Sequence, residues 1–509
     1  MCGRLSEGAP GVRARWLWVS VCALVATLLA GCVTRQDPLP AVTNPGLHPQ
    51  TASGDWRVFG YDPARSGVNP AEKALTPSTV DKMKKLWQVR LPAVADSSPI
   101  LLHAMPFPGG PRDVLYITTR DGHLLALDAS DGALLWRQQP RGPKITNSSP
   151  VADASRQYVY SYGLDGALYR YNPITGQEAT GNGWPAPITL MTQTEKEGSA
   201  LNLANGRIYV TTGGYIGDAP PYQGHVVTID EATGHETIFN SLCSNQTRLL
   251  HEGDCAGQMS GIWSRGGAVV DPTNGDIYVD TGNGPYDANQ GGFDYGDSIL
   301  RLSPDGSRLL DAYTPSNYQQ LAAGDVDLGS SAPALLPRIS QSATPLLLAQ
   351  GGKDGQFRLI NRENMSGQGG PGHLGGELQS VDLGCGLYTQ PAVWTDPTTG
   401  HIWVFVTTGC GTRAYQVTTN ASGVTRLTQG WSNGDQATSP VIAGGVLFAA
   451  GSGALRALDP TTGNELWNSA QAGVGGSIGP IHWESPIAIA GAVYITDENA
   501  TLTCYGLTQ

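Results

Sequence analysis

The 509-residue chain has little of what marks several common functional classes. The uncharged apolar run from Leu17 to Ala30 is too short for a membrane-crossing helix, which needs roughly 20 apolar residues, and nothing later reaches that length. The eight cysteines form no CxxC pair of the metal-binding kind and no CxxCH haem-attachment site, and the nine histidines give no HExxH or other close zinc pair. Charged residues are sparse, and the net charge of −12 argues against a nucleic-acid partner. No helix of consequence is predicted.

What is present begins with an export layout. Arg4, Arg13 and Arg15 precede the apolar run, as in a signal peptide. Leu29-Ala30-Gly31-Cys32 resembles the lipobox of bacterial lipoproteins, which predicts a signal peptide over 1–31 and lipid on Cys32. Val33 follows Cys32 where Asp often marks inner-membrane retention, so the lipobox rule favours an outer-membrane anchor if the host is Gram-negative. Residues 32–54 are rich in Pro, Thr, Asn and Gly, and read as the lipidated cysteine with a flexible tether. Residues 1–31 carry three Arg and one Glu, a net +2, so their removal takes the charge from −12 to −14.

An internal repeat governs residues 55–509. Its clearest copy, Val114 to Trp136, is two alternating apolar runs around Asp121-Gly122, then a turn, then a third run. A close relative spans Val446 to Trp467, and weaker copies begin at Val159, Ile208, Ile277, Leu346, Ile402 and Val493. Each copy follows a short motif of small or polar residues: Ser98-Pro99, Ser149-Pro150, Ser199-Ala200, Ser264-Arg265, Ala332-Pro333, Gln390-Pro391, Ser439-Pro440 and Ser485-Pro486. The last copy lacks an outer strand, while Leu86-Trp87-Gln88-Val89 stands as an orphan ahead of the first. The predicted fold is all-β, a single eight-bladed β-propeller of four-stranded antiparallel blades, its ring closed by that N-terminal outer strand.

The Leu-Asp-x-x-x-Gly-x-x-Leu-Trp repeats in eight blades resemble the quinoprotein propellers. That superfamily includes alcohol dehydrogenases that use pyrroloquinoline quinone (PQQ) and a non-enzymatic lipoprotein of the outer-membrane β-barrel assembly machine. In such a ring one face carries Asp96, Asn147, Glu197, Trp263, Arg265, Asn283, Asp325, Asp327, Lys353, Gln390, Gln436, His482 and Trp483. It also brings the Cys410 hairpin beside Cys385, so a Cys385–Cys410 disulfide is expected. A Cys243–Cys255 disulfide joins one Gly- and Asn-containing stretch, and Cys504 is read as a buried free thiol. The resemblance further implies that Trp263 stacks on the quinone, Asn283 binds calcium, Lys353 meets the quinone oxygens, and Asp325 or Asp327 is the catalytic base. Against it, Tyr215 stands near the place of the family's calcium-binding Glu, and neither a vicinal Cys-Cys pair nor a haem domain is present.

Two functions follow. The first, favoured by those departures, is a lipid-anchored platform in the cell envelope, facing the periplasm or outside, whose channel face binds a protein, a glycan or a small ligand. The second is a PQQ- and calcium-dependent oxidoreductase acting on alcohols or polymeric alcohols, for which Trp263, Asn283, Lys353 and the Asp325–Asp327 pair speak. Asp287, Asn289, Asp294 and Asp297 crowd one hairpin without EF-hand spacing and read as a solvated turn. Gly475-Gly-Ser-Ile-Gly479 matches a hydrolase nucleophile pattern but lacks the strand-to-helix elbow that pattern requires.

Overall fold

The computed structural model describes residues 41–43, 54–215 and 219–508. The signal peptide expected over 1–31 and Cys32 lie outside them, as does most of the stretch read as a tether. Within the stretch read as a tether, Ala41–Thr43 instead forms a strand whose backbone pairs with Trp87–Val89.

The described chain forms eight sheets of four or five strands, the blades of a propeller, antiparallel except where Val68–Asn69 pairs parallel with Val441–Ala443. In the first blade Ile100–Phe107, Gly110–Thr118, Leu124–Asp128 and Leu134–Gln138 follow one another outward. The last blade supplies Ile487–Ile489, Ala492–Asp497 and Thr501–Gly506 from the C-terminus. Its outer strand is Lys84–Arg90, which pairs antiparallel with Thr501–Gly506 and covers that sheet edge. Tyr318–Ala323 is the α-helix among the described residues, six residues between the fourth and fifth blades. Both expected disulfides are formed, and Cys504 is free and buried.

The repeat has a packing reason. The outer-strand tryptophan of one blade reaches the next blade and donates its indole N–H to a turn carbonyl there. Trp136 donates to Pro173, Trp431 to Pro460 and Trp87 to Ala129, at 2.8, 2.8 and 3.1 Å. The Leu-Trp signature is therefore an inter-blade clasp: a large apolar body is buried and its single polar atom is satisfied. The turn beneath it must be flat. Gly176 has a φ of +70°, and a Cβ there would come within 2.8 Å of the Trp136 ring. Gly176→Ala should therefore lower the unfolding free energy by about 2 kcal/mol, seen as a lower urea midpoint with an unchanged slope.

Residues 56–69, which show no strand period, run beneath the blades and strap them together. Trp56 exchanges backbone hydrogen bonds with Leu101 of the first blade, and the Arg57 carbonyl accepts from Ala152 of the second. The Pro63 carbonyl takes the Asn202 side chain of the third and the Val270 amide of the fourth. Ser66 and Gly67 carbonyls accept from Val393 and Ile442 of the sixth and seventh, and Asn69 donates to Ala488 of the eighth. Arg65, 1% exposed, donates to the carbonyls of Phe59, Ala200, Leu201 and Gly266 at 2.7–3.0 Å.

Candidate functional site

The face opposite the strap is built from the loops that enter inner strands and from the hairpins between second and third strands. It supplies Trp263 and Arg265 from the loop before Val269–Val270, and Asn283 from the hairpin after Ile277–Asp280. Asp325 and Asp327 follow the short helix, and Lys353 sits in the turn between Leu347–Gly351 and Gln356–Asn361.

These residues meet. Lys353 Nζ lies 2.5 Å from Asp327 Oδ2 and 3.4 Å from Asp325 Oδ1, and 5.5 Å from the centroid of the Trp263 ring. The Asn283 backbone N–H donates to Asp327 Oδ1 at 2.5 Å, while its side-chain amide donates to Asp325 Oδ1 at 3.0 Å. Gly282 makes that approach possible, because a Cβ there would stand 2.5 Å from Asp327 Oδ1. The Asp327 side chain is 8% exposed and that of Asp325 73%, so Asp327 is the carboxylate held inside and Asp325 the one on the rim. Burial pulls the Lys353 ammonium down, but Asp327 and then Asp325 outweigh it and hold the group above its ordinary value. Asn283 Oδ1 is buried and has no hydrogen-bond partner.

Trp263, Asp327 and Lys353 line a chamber of about 250 Å³ together with Lys196, Arg265 and Tyr215. Lys196 was missed in the sequence; the signal was a charged Glu195-Lys196-Glu197 triplet directly before a blade start. Its ammonium, lowered to about 8 by burial, donates to Asn147 Oδ1 at 2.6 Å. Arg265 is buried, donates to the Asn147 carbonyl at 2.6 Å and lies 5.4 Å from the Phe59 ring centroid. Three cations and one carboxylate thus line the same chamber as Trp263, with Lys353 nearest its ring. Trp263, Tyr388 and Trp483 sit 6.1–6.5 Å apart centroid to centroid. Tyr388, Trp483 and His482 pass into a second chamber of about 350 Å³, where Gln436 and several threonines form the wall.

Other expected face residues fall elsewhere. Gln390 and Glu197 are buried, and neither lines the chamber. Burial pushes the Glu197 carboxyl up to about 8 against the opposing pull of the Ser148 hydroxyl, Arg265 and Lys196. The acidic hairpin is a set of turns: Asp287 Oδ1 accepts from the Asp294 amide, Asp294 Oδ1 from Cys243 and Asp297 Oδ1 from Leu328.

The family model described as outer membrane protein assembly factor BamB (PQQ_2) matches residues 78–248 and 394–509. The stretch between these segments, which holds Trp263 through Lys353, lies outside the match. A quinohemoprotein alcohol dehydrogenase, ADH IIB of Pseudomonas putida, is 26% identical over 348 residues, covering 62% of this chain and 47% of that protein. The dehydrogenase subunit of a quinone alcohol dehydrogenase from Gluconacetobacter polyoxogenes is 24% identical over 56% of this chain and 42% of its own length. The chain thus spans about half the length of these relatives. Among solved structures, the quinohemoprotein alcohol dehydrogenase of Comamonas testosteroni superposes with a TM-score of 0.64 at 15% identity, over 90% of this chain and 81% of that one. BamB of Moraxella catarrhalis gives 0.51 at 12% identity, over 83% and 99%. Both likenesses establish the fold.

Proposed function

The chain belongs to the PQQ-like propeller family, the one described as outer membrane protein assembly factor BamB, and from that starting point we propose that its channel mouth binds a flat, polyanionic quinone cofactor of the PQQ type. The observation that carries this is that Lys196, Arg265 and Lys353 line one chamber with Trp263, Lys353 standing 5.5 Å from its ring, beside Asp327 and Asn283. An aromatic face ringed by cations suits a planar ligand bearing carboxylates.

The donor set also fits a cation. Asn283 Oδ1, buried and unpartnered, and the Asp327 carboxylate are hard oxygen ligands of the kind calcium takes. Lys353 and Arg265 would hold the cofactor's anionic groups and Trp263 its flat face. When bound, the quinone supplies hydride acceptance. Asp327 is the carboxylate that would take the hydroxyl proton of an alcohol, with Lys353 Nζ 2.5 Å from its Oδ2. The activity proposed is oxidation of alcohols or polymeric alcohols, with a separate protein as electron acceptor. The cell envelope is the location, through lipid on Cys32.

One observation favours a second reading, a non-catalytic platform for an envelope protein, glycan or small ligand. Both oxygens of Asp327 already accept, from Lys353 and from the Asn283 N–H, which weakens it as a base. Calorimetric titration of the chain with PQQ in calcium-containing buffer separates the two. Saturable binding that Trp263→Ala and Lys353→Ala each weaken at least about tenfold supports the cofactor site, with dye-linked alcohol oxidation as the next assay. No heat of binding at high micromolar PQQ sinks it and leaves the platform.

A further inference from the structure

We propose a divalent metal site of the zinc class at the junction of the last and first blades, formed by Asp96, His482 and Glu498. Asp96 lies in the loop before the first blade, His482 in the loop before the last, and Glu498 in the hairpin between Ala492–Asp497 and Thr501–Gly506. One ligand atom from each lies within 4.8 Å of the other two, and His482 Nδ1 stands 3.1 Å from Asp96 Oδ2.

A second observation points to an ion. Glu484, 0% exposed, gives Oε2 to the His482 backbone N–H at 2.6 Å, while its Oε1 has no hydrogen-bond partner. Glu498 Oε1 is likewise buried and unpartnered. Two carboxylates therefore stand beside the imidazole and a third holds the His482 backbone, and two of the three have a buried oxygen without a hydrogen-bond partner. Such oxygens are costly unless a donor or a cation meets them. Asp96 already accepts from the Trp483 amide and the Asn147 side chain, which fix its orientation, yet a carboxylate retains lone pairs for a metal. Arg265 acts on Asp96 and Glu484 electrostatically.

One imidazole nitrogen within an oxygen-rich set selects zinc or a similar first-row ion over calcium or magnesium. The His482 side chain is 49% exposed and borders both chambers, so part of the coordination sphere would face solvent and remain open to a ligand's anionic group. The site is distinct from Asn283 and Asp327.

The test is calorimetric titration of the chelator-stripped full chain with zinc chloride. One equivalent should bind at micromolar or tighter affinity, His482→Ala and Glu498→Gln should each weaken it at least about tenfold, and Asp327→Asn should leave it unchanged. Glu498→Gln keeps the side-chain shape, and its thermal midpoint reports whether the fold is intact. Absence of saturable binding, or binding that survives both His482→Ala and Glu498→Gln, overturns the proposal; the latter would assign the zinc to surface histidines.

Discussion

Replacing Arg65 by Met should lower the unfolding free energy by about 4 kcal/mol, one of the two largest effects expected of a single substitution in this chain. The guanidinium donates to four carbonyls drawn from the strap itself, from the third blade and from the loop that enters the fourth. Burial pulls its pKa down to about 9, with Asp62 opposing. Met fills the volume but leaves those carbonyls without donors in a site closed to water, and each orphaned group costs about 1–3 kcal/mol. Lys, a single point donor on a flexible stem, cannot span carbonyls on separate elements and should recover only part of the loss. Equilibrium urea unfolding of Arg65→Met, Arg65→Lys and the parent gives the comparison. A Met variant within 1 kcal/mol of the parent would mean that the strap adds little to the ring.

The strap shows where sequence reading stops. Blades are legible because their strands alternate with period two and their turns demand Asp and Gly, so eight copies stand out even when they diverge. The orphan strand around Trp87 was legible for the same reason, and it pairs with Thr501–Gly506. Residues 56–69 carry no period. Their hydrogen bonds to the blades run mostly through backbone groups, with Arg65 and Asn69 added, and backbone groups leave no trace in a sequence. The site divides along the same line. Trp263, Asn283 and Lys353 could be matched because each sits in a blade turn with a recognisable neighbour, Gly282 before Asn283 for one. Asp325 and Asp327 could not be separated, since two carboxylates two residues apart differ only in which one the loop turns inward. The strand within the stretch read as tether, Ala41–Thr43, is too short and too polar in its surroundings to register as a strand.

The second large effect is a dependence on pH centred on Glu197. Its carboxyl is raised from the ordinary 4.5 to about 8, first by burial, with Ser148, Arg265 and Lys196 partly offsetting. A group whose folded-state pKa lies above its unfolded value contributes stability that is fully present below the unfolded pKa and is lost as pH rises through the folded one. Stability should therefore fall between about pH 4.5 and about pH 8. The limit for one group is about 1.4 kcal/mol per pH unit. Asp280, Asp297 and Glu484, each also pushed up to about 8 with burial as the leading cause, act in the same direction. Lys196 does not cancel the slope. Its pKa is lowered to about 8, so its own contribution appears only above that pH, where the folded state has already released the proton. Glu197→Gln keeps the shape and removes the titration. It should leave the unfolding free energy near that of the parent at pH 4.5, raise it by about 2 kcal/mol or more at pH 8, and make the profile shallower. Denaturant unfolding of both proteins at half-unit intervals across that range measures this directly. Parallel curves would show that Glu197 stays ionised in the fold, with Arg265 and Lys196 together outweighing its burial.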